Sequence, residues 1–389
     1  MTDASPIPDW LMSCRSPEHL VNVLDILAQR ERARARARTT SYKRSSKSIV
    51  ERLTQTLPTG EEKGDLADYY SVSAGCSKEN EEYNRYIDIA PYDRTRVVVS
   101  YGAAETGDAA ADSSLSQGRY LNANWVRERA GGKWWIAAQA PLPQTAHAFL
   151  STIIHTPAHP YAVARTEMGR IRTVVQLTQN VERGIQKAHT YFPTGDGQTF
   201  TVPPEEGCTA PALTVTLLRT VGHADAQCVQ STVSVVPETL SPSAAVVFEH
   251  LLFCAWPDQG VPRGADRGRL LRFVRLVDET NRAGDADAPV LLHCSAGVGR
   301  TGTFIALASL LRAHGLLARA SAEAEGSERQ ALPRSPLGAL PEALQDDLVA
   351  QEIDMLREQR PGMVERAEQV AFVYDMLAAA LKTEDGDAA

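Results

Sequence analysis

The stretch Val290 Leu291 Leu292 His293 Cys294 Ser295 Ala296 Gly297 Val298 Gly299 Arg300 Thr301 Gly302 Thr303 Phe304 decides how the chain is read. An apolar run delivers a cysteine at its end. Small residues follow, then an arginine, then apolar positions at helical spacing from Phe304 to Leu311. This pattern predicts a strand, a tight loop and a helix. Small residues between Cys294 and Arg300 let backbone N–H groups converge on one point, and the helix adds the positive end of its dipole, so the loop can cradle a tetrahedral oxyanion. The same donors would stabilise the thiolate of Cys294. Arg300 offers a two-pronged fork to phosphate oxygens. The alternative is a buried cysteine closing a core strand, and the other blocks of the chain decide between the two.

The segment His293 to Arg300 resembles the Cys-x5-Arg phosphate-binding loop of protein tyrosine phosphatases, and His293 to Gly302 resembles the classical, phosphotyrosine-specific branch. The resemblance is taken as one to the non-receptor type, and no uncharged apolar run of the sequence reaches membrane-spanning length. It implies an α/β fold in which a central mixed, highly twisted sheet is flanked by helices and the phosphate-binding loop joins a strand to a helix. It also assigns roles. Cys294 attacks phosphorus; Arg300 and the backbone N–H groups of Ser295, Ala296, Gly297, Val298 and Gly299 hold the equatorial oxygens; His293 tunes the thiolate, and Thr301 bonds to the sulfur as it departs. No metal or cofactor is implied, because loop and arginine supply the charge a metal would.

Three further blocks resemble the family in order. Asn84 to Val97 resembles the phosphotyrosine-recognition loop, with Tyr86 stacking on the substrate ring and Asp88 accepting hydrogen bonds from the substrate backbone. An aromatic wall makes a deep pocket, which phosphoserine is too short to fill. Trp256 Pro257 Asp258 Gln259 Gly260 Val261 Pro262 resembles the mobile acid-bearing loop: Trp256 is its hinge, Asp258 protonates the leaving phenolate, and Gln259 departs from an aromatic that usually packs on the substrate. Arg360 to Gln369 resembles the loop that positions water for the second step. Gln369 stands at its second glutamine, whereas Glu365 replaces the first and Arg366 the threonine after it. Glu182, in another family-like block, is placed to hold the fork of Arg300. The substrates so implied are phosphotyrosine proteins. A phosphotyrosine-binding module without turnover, and a phosphatase with broader phosphoserine, phosphothreonine or phosphoinositide reach, are the alternatives.

The 389 residues, 43% hydrophobic and 23% charged, suit a soluble chain with polar extensions. Residues 1–64 read as a helical, basic and partly flexible extension, 65–381 as the catalytic domain with flexible insertions near 102–117 and 318–341, and 382–389 as a disordered tail. Six cysteines without paired spacing argue against a disulfide scaffold or a structural zinc site, and the thiolate needs a reducing compartment. The start lacks a signal peptide pattern. Cytoplasmic placement, with nuclear as the other option, is the expectation. Arg30, Arg32, Arg34, Arg36 and Arg38 open a basic segment, 30–52, whose two-residue alternation spreads charge round a helix. An acidic partner or a membrane surface suits it, and no nucleic acid is expected. Leu20, Val23, Leu24 and Leu27 predict a helix running into that repeat, with a polar break from Thr39 to Ser48 and a second short helix from Ile49 to Leu57. Strands are expected over 174–178, 213–218, 228–236 and 246–253, and helices over 268–280, 301–313 and 342–359.

Overall fold

The computed structural model describes residues 7–45, 66–100, 118–160, 169–258, 260–283, 287–320 and 332–386. Two N-terminal helices, α1 (Asp9–Ser13) and α2 (Pro17–Ser45), precede the strands β1 (Arg96–Val99), β2 (Arg119–Arg127) and β3 (Trp134–Ala138). Helix α3 (Ala146–Ile154) and strand β4 (Thr173–Gln176) lead to a small separate hairpin, β5 (Val181–Glu182) with β6 (Ile185–Gln186). Strands β7 (Thr199–Val202), β8 (Leu213–His223), β9 (Cys228–Pro237) and β10 (Val246–Phe253) follow, then α4 (Ala265–Arg282), β11 (Val290–His293), α5 (Gly299–Ala313), α6 (Leu348–Gln359) and α7 (Ala367–Gly386).

Nine strands form one mixed sheet in the order β1-β2-β3-β11-β4-β10-β9-β8-β7. Its middle four, β3, β11, β4 and β10, run parallel, and the outer pairs are antiparallel. Strand β11 is hydrogen-bonded on both sides and covered on both faces, which is why it reads as an uninterrupted apolar run. Its side chains alternate. Val290 and Leu292 enter the core under α4, α5, α6 and α7, while Leu291 packs with Phe149 and Leu150 of α3 on the opposite face. Because four neighbouring strands point the same way, their carboxyl ends share one edge. There the chain emerges as Gln139 after β3, Cys294 after β11, Leu177 after β4 and Cys254 after β10, the edge at which parallel sheets place ligands.

The N-terminal region differs from the expectation in two ways. Helix α2 passes through the predicted polar break to Ser45, since Thr39 and Thr40 satisfy their hydroxyls on the helix itself, donating to the carbonyls of Ala35 and Arg36 at 2.9 Å each. The alternating arginines also do build a stripe: Arg30, Arg34 and Arg38 recur every fourth residue and so share a face. Their acidic partner lies within the chain. Arg34, fully buried, pairs with Asp354 at 2.5 Å and Glu358 at 2.6 Å on α6; Arg30 also reaches Asp354, and Arg38 donates to Tyr92. On the neighbouring face Val23 and Leu27 enter the same core as α5, α6 and α7. The expected second helix at 49–57, the insertion at 102–117 and residues 321–331 of that at 318–341 lie outside the described residues. Helix α6 starts later than expected, because Asp347 caps it by accepting from the Ala350 N–H at 2.9 Å and a short 3-10 turn, Glu342–Leu344, precedes it.

Arg34→Met is expected to destabilise the fold by about 3–5 kcal/mol in urea unfolding, because it leaves the covered Glu358 carboxylate without its cation and Asp354 with Arg30 alone. Adding Glu358→Gln to that variant should recover part of the loss. Equal stability of parent and Arg34→Met would show that the stripe is incidental.

Candidate active site

Cys294 sits at the mouth of β11, 5% exposed, and the Gly297 N–H points at its sulfur at 3.3 Å. The loop is tight enough to require glycine. Gly297 has φ of +73°, and a Cβ there would lie 2.0 Å from the Ala138 carbonyl oxygen of β3. At Gly299 a Cβ would meet Gln369 Nε2 at 3.0 Å and Glu365 Oε2 at 3.2 Å, so both residues expected to position water stand over the start of α5. Gln369 is buried and its Oε1 accepts from the Arg366 N–H at 3.1 Å, whereas Glu365 and Arg366 are exposed. Ala296 and Val298 lie within the loop, and Val298 is buried.

Arg300 projects from the first turn of α5 into a fixed frame. Its two terminal nitrogens donate to Glu182 at 2.7 and 2.8 Å, and also to the carbonyls of Leu177 and Pro257 at 3.0 Å each. Glu182 is oriented in turn by the Thr178 hydroxyl at 2.7 Å. The Pro257 contact draws the acid-bearing loop onto the arginine. Asp258 Oδ1 then lies 4.0 Å from Arg300 and 3.2 Å from Lys187 Nζ, with Arg183 Nε at 3.7 Å from Oδ2. A hydrogen bond with Glu182 and the cations of Lys187 and Arg300 hold the Asp258 carboxyl below its ordinary value, against the opposing effect of burial. Trp256 is buried, its indole N–H donating to the Gly260 carbonyl at 3.3 Å, so it staples the two ends of that loop. Gln259 lies outside the described residues.

Tyr86 is fixed to the phosphate loop, its hydroxyl 2.8 Å from Ser295 Oγ, which itself donates to the Lys187 carbonyl at 2.7 Å. The ring thus forms a wall beside the loop, and Asp88, exposed two residues on, stands outside it. His293 is fully buried. Burial pushes its imidazole down to about 4, so the ring is neutral; Nδ1 donates to the Cys294 carbonyl at 3.0 Å and Nε2 accepts from the Tyr191 hydroxyl at 3.1 Å. It therefore touches the backbone of the cysteine. Thr301 is fully buried, and its Oγ1 has no hydrogen-bond partner among the described residues.

Two residues given no role by the sequence reading complete the frame. Lys187 faces Asp258, as described. Arg360, fully buried, donates to the carbonyls of Gly297 at 2.8 Å and Ala296 at 3.0 Å, and to the side chains of Asn124 at 2.8 Å and Asn122 at 2.9 Å. It leads the water-positioning block, and its place at a helix end before Pro361 and Gly362 was the available signal.

A strand-borne thiol in a glycine-shaped nest, beneath an arginine held by one carboxylate and flanked by another, is chemistry for a phosphoryl group. Residues 80–315 match the family described as protein-tyrosine phosphatase. The chain belongs to the protein-tyrosine phosphatase family. It is 32% identical over 237 residues to receptor-type tyrosine-protein phosphatase eta of Gallus gallus, covering 60% of this chain and 14% of that protein. Tyrosine-protein phosphatase non-receptor type 20 of Mus musculus is 25% identical over 312 residues, 78% of this chain and 55% of the relative. Phosphatidylinositol phosphatase PTPRQ of Rattus norvegicus is 30% identical over 309 residues, 75% of this chain and 11% of the relative. The chain spans less than two thirds of each of these proteins. It carries a classical tyrosine phosphatase catalytic domain related to receptor and non-receptor types alike, which is broader than the non-receptor expectation. Among the described residues, no helix is long and apolar enough to cross a membrane.

Proposed function

We propose that this phosphatase hydrolyses phosphotyrosine in proteins through a cysteinyl-phosphate intermediate. The supporting observation is the convergence on Arg300: the arginine is gripped by Glu182, lies in the loop of Cys294, and has Asp258 4.0 Å away. In the first step the Cys294 thiolate attacks phosphorus in line, the S–P bond forms, and the P–O bond to the tyrosyl oxygen breaks as Asp258 gives that oxygen its proton. In the second, Gln369 and Glu365 orient a water, Asp258 takes its proton, and the S–P bond breaks to release phosphate. Thr301 Oγ1 serves the departing sulfur, and His293 fixes the carbonyl of the nucleophile's own peptide. Tyr86, tied to Ser295, sets the pocket depth that excludes phosphoserine, and Asp88 receives the peptide backbone. A non-receptor, cytosolic or nuclear enzyme fits the reducing conditions a thiolate needs.

The test is steady-state and burst kinetics on a phosphotyrosine peptide and its phosphoserine counterpart. Phosphotyrosine should be turned over at least about 100-fold faster, the scale that pocket shape and polar complementarity reach. Equal rates would overturn the tyrosine reading. The name of the rat relative favours a second one, phosphoinositide hydrolysis, and a soluble inositol phospholipid run alongside separates the two. Within the same experiment Glu365→Gln is expected to speed the phase after the burst, because a carboxylate over the loop repels the phosphoryl group it should help to hydrolyse. An unchanged phase removes that role.

Asp258 gives a pH prediction. Lys187 and Arg300 favour its ionised form, so loss of the protonated acid sets in at low pH. Lys187→Met removes one cation, the Asp258 carboxyl rises, and the alkaline limb of kcat/KM moves to higher pH. The same limb should vanish in Asp258→Asn. A limb unmoved by Lys187→Met would assign it to another group.

A further inference from the structure

Cys14 ends α1, His19 lies in the first turn of α2, and Asp347 caps α6, so no spacing in the sequence joins them. The fold brings one ligand atom of each within 4.8 Å of the others. We propose that Cys14 Sγ, His19 Nε2 and an Asp347 carboxylate oxygen form a zinc-type metal site that ties the N-terminal helices to the catalytic domain, and that its fourth position is open to water.

The donor set is a thiolate, an imidazole and a carboxylate, the mixture that tetrahedral zinc takes. The site is closed on two sides and open on one: Cys14 is 6% exposed and the Asp347 side chain 1%, while the His19 side chain keeps 19%. The carboxylate already has an outer support of the kind that orients metal ligands, with the Tyr374 hydroxyl on Oδ2 at 2.5 Å and the Ala350 N–H on Oδ1 at 2.9 Å. His19 Nε2 and Asp347 Oδ2 are 2.7 Å apart, and zinc bonds of about 2.0–2.2 Å at a tetrahedral angle need roughly 3.3–3.5 Å, an opening below about 1 Å. Metal binding would replace the thiol proton, which leaves to solvent. Paired cysteine spacing in the sequence carries no information about such a site, because the fold alone brings its three residues together.

The experiment uses the full chain carrying Cys294→Ser, so that the loop thiol cannot hold metal. Equilibrium dialysis should find one Zn2+ per chain, and Co2+ should give tetrahedral visible bands with a near-ultraviolet thiolate-to-cobalt band. Adding Cys14→Ser should abolish that band, and adding His19→Gln should weaken binding by at least about 100-fold, since loss of a ligand costs no less than loss of an outer support. His19→Gln can still donate to Asp347, so it keeps the test valid if the Cys14 variant misfolds. Failure to take up one equivalent, or uptake unchanged in His19→Gln, overturns the site. Neither outcome depends on phosphatase activity.

Discussion

Replacing Cys294 with serine is expected to lower kcat on a phosphotyrosine peptide by about 10^4-fold or more, the range seen when a nucleophile is removed from an otherwise intact site. Peptide affinity should be kept or improved. The reason is a division of labour in the geometry. In the proposed mechanism, binding rests on groups that the substitution leaves alone: the Arg300 fork locked by Glu182, the N–H groups of the loop, and the Tyr86 wall tied to Ser295. The thiolate contributes attack, and while phosphate is bound it also contributes repulsion, since two anions meet at the base of the pocket. A serine hydroxyl is neutral there and similar in reach. Titration calorimetry with the peptide, beside single-turnover kinetics, reads both halves. A variant that loses affinity and rate together would mean that the sulfur anchors the loop, as the Gly297 N–H contact at 3.3 Å allows, and a variant with parental kcat would place the nucleophile elsewhere.

How much of this was legible in the sequence follows from how local each feature is. The phosphate loop was readable because one short segment carries its strand, nest, arginine and helix, and the strand's burial on both faces leaves an unbroken apolar signature. Strands β8 and β9 were readable from the alternation of apolar and polar residues along each. What the sequence hid is what tertiary structure assembles. Arg34 reads as one more charge in an arginine-alanine repeat, and only the approach of α6 turns it into a buried ion pair with Asp354 and Glu358. Lys187 follows a short hairpin and carries no local signal, and only the fold sets its Nζ 3.2 Å from Asp258. The parallel order β3-β11-β4-β10 explains why such distant blocks meet: each delivers its residues at the same edge of the sheet.

Arg360 is the sharpest case, and Arg360→Met is expected to lower kcat/KM by about 10^2–10^3-fold, the cost of losing an oxyanion donor, although the residue faces away from the substrate. In a trans peptide the carbonyl and the next N–H point in opposite directions. By holding the Ala296 and Gly297 carbonyls back, the guanidinium aims the N–H groups of Gly297 and Val298 into the nest, and the Gly297 N–H is indeed found on the sulfur. Burial lowers this arginine to about 10, so it stays charged at neutral pH, fixing a positive charge beneath the thiolate. Shape and charge can be separated. Arg360→Lys keeps the charge but cannot span two carbonyls and two asparagines, so it should lose phosphate affinity while Cys294 still reacts with iodoacetate near the parental rate. Arg360→Met should lose both. If instead the lysine variant restores full kcat/KM, the carbonyl props are dispensable and the buried charge alone is what the loop requires.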